Sequence, residues 1–409
     1  MFKKILTISI LLFLSTTIVS AVTPATIEKT GGYARIQAMG NNPYIIDPFN
    51  MTLNSAWGAY YSDFIMGDLG STATAFGNDG VGQFIGANFK VGKNMTLGVI
   101  LARNNFNGQF SILNLDPYGV IGNNGAAIAL DNVVELMSTY SLGKHKIGIG
   151  LSYASTTNEV NPAGSDPTVN SASQLGLNFG YVSQLSGSLL LDVSLSLLFP
   201  GTTSEQPNQG DASASETVIS FNARTFIRMS EKFKLVPVLQ FVTTSASGDV
   251  PSGTESESVD LPSTSVFILG VGFRYQTGDF LFAGGPAYAS FSTTTPAVEN
   301  ASPEFSTGIT GFPIWNLGGE WEFADWIVGR MGYMAITGKT SNESPSSSTE
   351  VTEAIQTVYG PTGFWLGIGF RTGGFSLDAT INDDVLRQGL NTVGGLGATF
   401  AYISLSVAL

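Results

Sequence analysis

Beyond residue 75 the chain alternates apolar residues with small or polar ones, the period of a strand whose two faces meet different surroundings. Leu189, Leu191, Val193, Leu195, Leu197 and Phe199 share one face, and Ser188, Asp192, Ser194 and Ser196 share the other. Phe267, Leu269, Val271, Phe273 and Tyr275 alternate in the same way with Ile268, Gly270, Gly272, Arg274 and Gln276. Ile147, Ile149, Leu151 and Tyr153 do so with Gly148, Gly150, Ser152 and Ala154. The pattern predicts strands of about ten to fifteen residues, long enough to cross an outer membrane at a tilt.

Two kinds of connection separate these runs. Short ones rich in turn formers sit at Gly92-Lys93-Asn94, Gly143-Lys144-His145, Ser186-Gly187-Ser188, Ser230-Glu231-Lys232, Thr277-Gly278-Asp279, Ala324-Asp325-Trp326 and Thr372-Gly373-Gly374. Long ones, loaded with Ser, Thr, Pro, Asn and acid, lie near 104–128, 158–172, 200–213, 247–263, 293–304, 341–352 and 383–393. Short turns on one side and long polar loops on the other predict an all-β fold, a transmembrane antiparallel β-barrel of 14 to 16 strands with a short N-terminal plug. Sixteen follows if 57–69 is the first strand and 394–409 the last, and fourteen if a weak segment such as 375–382 drops out. A propeller would also repeat at this period, but its blades need four short strands where this chain has two long ones.

The N-terminus predicts export. Lys3 and Lys4 precede an apolar stretch from Ile5 to Val19, and Val19-Ser20-Ala21 is a small-residue cleavage site. The expected organisation is a signal peptide at 1–21, a plug segment at 22–56 and the barrel at 57–409, in the bacterial outer membrane. Ala401, Ile403, Leu405, Val407 and Leu409 alternate with Phe400, Tyr402, Ser404, Ser406 and Ala408. This ending resembles the C-terminal signal of outer-membrane barrels, although those usually finish in Phe.

Composition narrows the function. The chain has 43% hydrophobic but only 12% charged residues, which argues against an ordinary cytosolic enzyme. It has no cysteine, so disulfides, thiol chemistry and a lipoprotein anchor are excluded. A net charge of -13 makes nucleic acid a poor partner. The only histidine, His145, lies among lysines in a short turn, leaving no base for a Ser-His-Asp hydrolase and no Cys/His zinc site. Gly338-Lys339-Thr340 lacks the upstream glycine spacing and strand-to-helix context of a phosphate loop. No catalytic residue, metal ligand or cofactor is expected. The acidic outer loops lack a calcium-loop pattern and are expected to be solvated.

Asp47, six residues, then Asn54-Ser55-Ala56 is similar to the Asp-x6-Asn-Pro-Ala pattern closing the N-terminal hatch in the long-chain fatty-acid transporter family of outer-membrane barrels. Ser55 stands where that family has Pro, and Trp57 where it has a small residue. The resemblance implies a plugged barrel carrying hydrophobic molecules, with Asp47, Asn54 and Ala56 as hatch residues rather than ligands. Physically, Asp and Asn there can cap backbone donors where an irregular segment enters a strand.

If the greasy face meets lipid, the lumen is lined by Glu135, Asp192, Arg224, Arg228, Lys234, Arg274, Glu320, Glu322, Arg330, Arg371 and Asp378, a mixture of signs. The turn at Asp325 sets Glu320 opposite Arg330, predicting a structural lumenal salt bridge. Paired glycines at 148 and 150, 270 and 272, and 367 and 369 are expected to ease barrel curvature, the alternative being close approach of plug or ligand. Trp315, Trp321, Phe323 and Trp326 are expected to form an interfacial girdle.

The function expected is passive movement of hydrophobic or small amphipathic solutes through a plugged barrel. Two alternatives stay open: a general porin for small hydrophilic solutes, and a non-transporting scaffold acting as a secretion-system partner. Outer-membrane lipid is the expected surrounding of all three.

Overall fold

The structure is a computed structural model, and it describes residues 29–71, 81–103, 111–113, 115–117, 130, 132–161, 166–298, 302–346, 350–360, 363–381 and 400–409. The expected signal peptide at 1–21, most of the 104–128 connection and the 383–393 loop lie outside the described residues.

Among the described residues eighteen strand segments follow one another. The first nine are β1 (Phe64–Ser71), β2 (Val81–Lys90), β3 (Met95–Arg103), β4 (Val133–Leu142), β5 (His145–Val160), β6 (Thr168–Ser186), β7 (Leu189–Glu205), β8 (Ala212–Arg228) and β9 (Phe233–Ser252). The others are β10 (Glu255–Leu261), β11 (Ser263–Thr277), β12 (Phe280–Thr295), β13 (Phe305–Ala324), β14 (Ile327–Pro345), β15 (Val351–Tyr359), β16 (Gly363–Thr372), β17 (Phe375–Ile381) and β18 (Phe400–Ala408). Each pairs antiparallel with its neighbours, and β1 pairs with β18 from Phe64↔Ala408 to Gly70↔Tyr402, which closes the sheet.

Two segments are upper continuations rather than separate staves. β10 pairs with the end of β9, while β11 pairs with its beginning; Pro262, which lacks an N–H donor, separates the two. β15 and β16 divide β14 in the same way. The wall is therefore a closed antiparallel barrel of 16 strands. Of the segment at 375–382, residues Phe375–Ile381 form a strand, β17, between β16 and β18.

Two expectations need correction. The strands are longer than the pattern suggested: β9 and β13 have 20 residues each, and the connections at 158–172, 200–213 and 247–263 are largely ladder. Toward the long connections both faces of the wall meet water, so Ser, Thr and Asn replace the apolar residues and the sequence reads as loop. Inside-outside alternation nevertheless persists, as at the end of β7, where Thr202 and Ser204 are buried and Glu205 is exposed. The first strand begins at Phe64 rather than at 57. Trp57, Tyr60 and Tyr61 resemble a strand by composition, but Trp57 lies in a 3-10 turn and, with Tyr61, is fully buried.

The outer surface is apolar across the middle of the wall. Leu97, Leu101, Leu136, Ile149, Leu151, Phe179 and Met331 point outward and are exposed. Trp315, Trp321, Phe323 and Trp326 are exposed on the same side, the last three beside the turn at Asp325. The buried core is the bore itself, where the N-terminal segment meets the inward faces of strands from every side of the barrel.

Candidate functional site

The segment from Gly31 to Tyr61 folds locally before it meets the wall. Helix α1 (Tyr33–Ala38) leads to a 3-10 turn at Pro48–Thr52 and a second at Ser55–Ala59. Asp47 caps the first turn: its Oδ1 accepts from Phe49 N at 2.9 Å, and Asn50 Oδ1 accepts from Asp47 N at 2.9 Å. Pro48 at the first position supplies a φ suited to the turn. Asn54 caps the second turn, its Oδ1 accepting from Ala56 N at 2.9 Å. The two motif residues thus satisfy backbone donors that would be orphaned in a bore closed to water.

Two ionic clusters join this segment to the wall. In the first, Arg35 donates from Nε and Nη2 to Glu320 Oε2 and Oε1 at 2.8 and 3.0 Å, and from Nη1 to Asp47 Oδ2 at 3.1 Å. Glu320 lies opposite Arg330 in the β13–β14 ladder and accepts from its Nε at 2.6 Å, while Arg330 Nη1 lies 2.6 Å from Asp378 Oδ1. Arg371 continues the cluster to Glu322 at 2.6 Å. Buried charges are costly unless paired, and here each contact runs between opposite signs.

In the second cluster Asp192 accepts from Asn54 Nδ2 at 2.6 Å, Trp57 Nε1 at 3.0 Å and Arg224 Nε at 2.6 Å. Arg224 Nη1 donates to the carbonyls of Pro43 and Ile45 at 3.1 and 3.0 Å. Thr139 Oγ1 donates to Ser55 O at 2.7 Å, and Asn178 donates from Nδ2 to Leu53 O and accepts from Ser55 N. At the opposite wall Ala34 N donates to Ser404 Oγ at 2.8 Å, and Thr380 Oγ1 donates to Ala34 O at 2.9 Å.

The paired wall glycines correct the curvature expectation. A Cβ at Gly148 would collide with the backbone of Ser55 and Ala56, one at Gly272 would sit 2.5 Å from the Tyr44 ring, and one at Gly367 would sit 2.5 Å from Ala38 Cβ. Gly318 and Gly332, not singled out by the pairing, face Met39 and Gly40 as closely. These positions are small because the N-terminal segment, by backbone or by side chain, runs against them.

Above this layer, residues 111–113 and 115–117 lie inward. Ser111 Oγ donates to Thr52 O at 3.3 Å, Asp116 N donates to Gln174 Oε1 at 2.9 Å, and Leu113 and Leu115 are buried against the N-terminal segment. Ile112 instead packs with Leu198, Val218 and Val242, and with Val266 at their edge, in a separate apolar cluster.

The remaining lumenal charges lie apart from the two clusters. Arg228, Lys234 and Arg274 stand side by side across β8, β9 and β11 near the short-turn end, with Arg274 Nη2 donating to Gln276 Oε1 at 3.0 Å. Glu135 is buried in β4, opposite Ser152 of β5. Among the described residues no three His, Asp or Glu side chains converge as a metal site.

Sequence reasoning missed Arg35 and Trp57. Arg35 and Asp47 are the only opposite charges between residues 30 and 60, a signal for pairing that could have been read. Trp57, a departure from the hatch pattern, is here the donor that reaches Asp192.

No family model matches the chain, and neither does any curated protein. Among solved structures it is similar to the toluene transporter TodX of Pseudomonas putida, at 11% identity and a TM-score of 0.39, covering 94% of this chain and 98% of that one. It is also similar to the FrpB iron transporter of Neisseria meningitidis (F3-3 variant), at 13% identity and a TM-score of 0.40, over 80% of this chain and 63% of that one. BauA, the ferric preacinetobactin receptor of Acinetobacter baumannii, matches at 9% identity and a TM-score of 0.44, over 78% and 53%. The chain spans under two thirds of the length of the iron transporter and the ferric receptor.

Proposed function

We propose that the chain is an integral outer-membrane channel through which hydrophobic or small amphipathic solutes move passively, with residues 22–56 acting as a hatch in the manner of the fatty-acid transporter family. The observation that carries this reading is the filled bore: the segment from Gly31 to Tyr61 meets β4, β5, β6, β7, β11, β13, β14, β16, β17 and β18 from within. A bore so filled does not suit a general porin, whose use depends on standing water. The apolar cluster of Ile112, Leu198, Val218 and Val242 above the plug supports a greasy solute over a hydrated one.

The mechanism is diffusion. A solute leaves water for the apolar cluster, gaining about 0.8 kcal/mol for each CH2 buried. It then passes when the hatch contacts at Asp192 and Glu320 loosen. Asp47 and Asn54 keep the hatch folded as a unit, and Arg35, Trp57 and Arg224 hold it to the wall.

The test is single-channel conductance of the refolded protein in a planar bilayer, with and without residues 22–56. The intact protein is expected to stay closed to ions and the truncated one to conduct. Steady conductance from the intact protein would refute the hatch.

A further inference from the structure

The inner wall opens on one side of the bore. Val242 of β9 pairs with Val266 of β11, Val266 with Phe291 of β12, and Phe291 with Ile309 of β13, so the four side chains form one cross-strand row. Thr340 of β14 lies opposite Ile309 and is an even number of residues from Arg330, whose inward face it shares. The row therefore faces the bore. Val242 is packed under Ile112, and Val266 is partly buried at the edge of that cluster. Phe291 and Ile309 emerge from it, 40% and 45% exposed. Being inward, they are exposed to the bore itself.

The polarity of the wall is reversed at this height. Ser290, Ser292, Thr310 and Lys339 alternate with the row and its neighbours and face away from the bore. Lipid is thus no reason for Phe291 and Ile309 to be apolar, since the outer face beside them is polar. The hatch is no reason either. Tyr44 meets β11 at Gly270 and Gly272, and Gly270 is four residues from Val266, which leaves the row about 13 Å farther toward the long connections. Apolar side chains open to water inside a polar wall are costly unless something apolar covers them in use.

Charge is also missing here. Every inward position of β11 from Thr264 to Gly270, of β12 from Ala287 to Thr293, of β13 from Thr307 to Gly311 and of β14 from Gly338 to Asn342 is uncharged. Elsewhere the inward faces carry Glu135 on β4, Asp192 on β7 and Glu216 and Arg224 on β8. We propose that the Val266–Phe291–Ile309 row is where the solute first binds, and that the solute is an uncharged, ring-sized hydrocarbon. The inference rests on the hydrophobic-channel reading and names its substrate class. Three adjacent strands span about 10 Å, the length of about two fused rings, and Phe291 offers an aromatic face to stack on. A carboxylate or ammonium there would lose water and meet no counter-charge on the panel.

The chain has no cysteine, so a single introduced thiol reports on a single place. In the full-length protein in a neutral maltoside detergent, Thr340→Cys puts a thiol on the bore opposite Ile309, and Thr310→Cys puts one on the outer face beside it. Labelling by a hydrophilic methanethiosulfonate is timed alone and with naphthalene, naphthoate or naphthylmethylammonium at neutral pH. Naphthalene at several times its dissociation constant is expected to slow labelling of Thr340→Cys at least about fivefold by mass action and to leave Thr310→Cys unchanged. The two charged probes should require at least about tenfold higher concentrations. Adding Phe291→Ala to Thr340→Cys should raise the naphthalene concentration needed about threefold or more. Heat-modifiable migration on a gel checks that each variant retains its barrel.

A Thr340→Cys thiol that does not react would show the row closed to water and overturn the site, as would equal protection of Thr310→Cys or protection unchanged by Phe291→Ala. Charged probes that protect as well as naphthalene would overturn the substrate class. Absence of protection in a protein that is closed to ions when intact and conducts without residues 22–56 refutes this site alone. Absence of protection in a protein that conducts when intact refutes the channel reading with it.

Discussion

The N-terminal segment is held in the bore by a few side chains whose removal has directional consequences. Glu320 accepts from both Arg35 and Arg330 in a site closed to water, so Glu320→Gln leaves two guanidinium groups short of a counter-charge. Breaking a buried pair of this kind costs roughly 3–5 kcal/mol, and the loss falls on hatch docking because the β13–β14 ladder holds the wall independently. Amide exchange in α1 is expected to quicken while exchange in β13 stays slow. Trp57→Phe is milder: it keeps the ring and loses the Nε1 donor to Asp192, a change of about 1–3 kcal/mol, read as faster exchange across Asn54–Tyr61. Burial pushes the Asp47 carboxyl up to about 6 despite Arg35 beside it. A folded value above the unfolded one means this group's contribution is fully present below the unfolded value and is lost as pH rises through about 6. Between pH 8 and pH 5, then, Asp47 favours the docked hatch on the acid side; Asp47→Asn should flatten that slope in the rate of hatch exchange.

Elements are positioned by what their inward faces omit. Gly332 faces the backbone of Gly40 and Met39, so Gly332→Val has no flexible side chain to push aside and must displace α1 or the chain after it. Gly201, with only Ala214 O within reach at 3.7 Å, accepts alanine freely. The expected contrast is a leaky channel from Gly332→Val and a closed one from Gly201→Ala, measured as conductance of equally folded barrels. Equal leakage from both would mean that hatch and wall are not in register here. The motif Asp47 and Asn54 was legible as a cap because capping is local: each side chain bonds an amide two residues on. Its attachment to Asp192 was not legible, because 138 residues separate Asn54 from its acceptor.

At the scale of the whole molecule, β5 to β9 and β11 to β14 run 15 to 20 residues, well beyond the roughly ten of a membrane-crossing β-strand. Charge is sorted along the bore as well, with Glu135 and Glu216 toward the long connections, the paired clusters around the N-terminal segment, and Arg228, Lys234 and Arg274 toward the short turns. The lumen that the sequence presented as a mixture of signs is thus ordered along its axis.

Alternation, turn chemistry and charge scarcity sufficed to determine an all-β barrel with a greasy exterior, the short turns, the Glu320–Arg330 register and an N-terminal segment unlike the rest. These are local properties, set by residues within one hairpin of each other. Tertiary structure alone decided that β10 and β15 continue neighbouring strands, that wall glycines answer the N-terminal segment packed against them, and that Glu135 is buried near Ile112 without a partner among the described residues. Such contacts depend on closure, which brings distant residues to one bore, and no periodicity along the chain encodes which of them will touch.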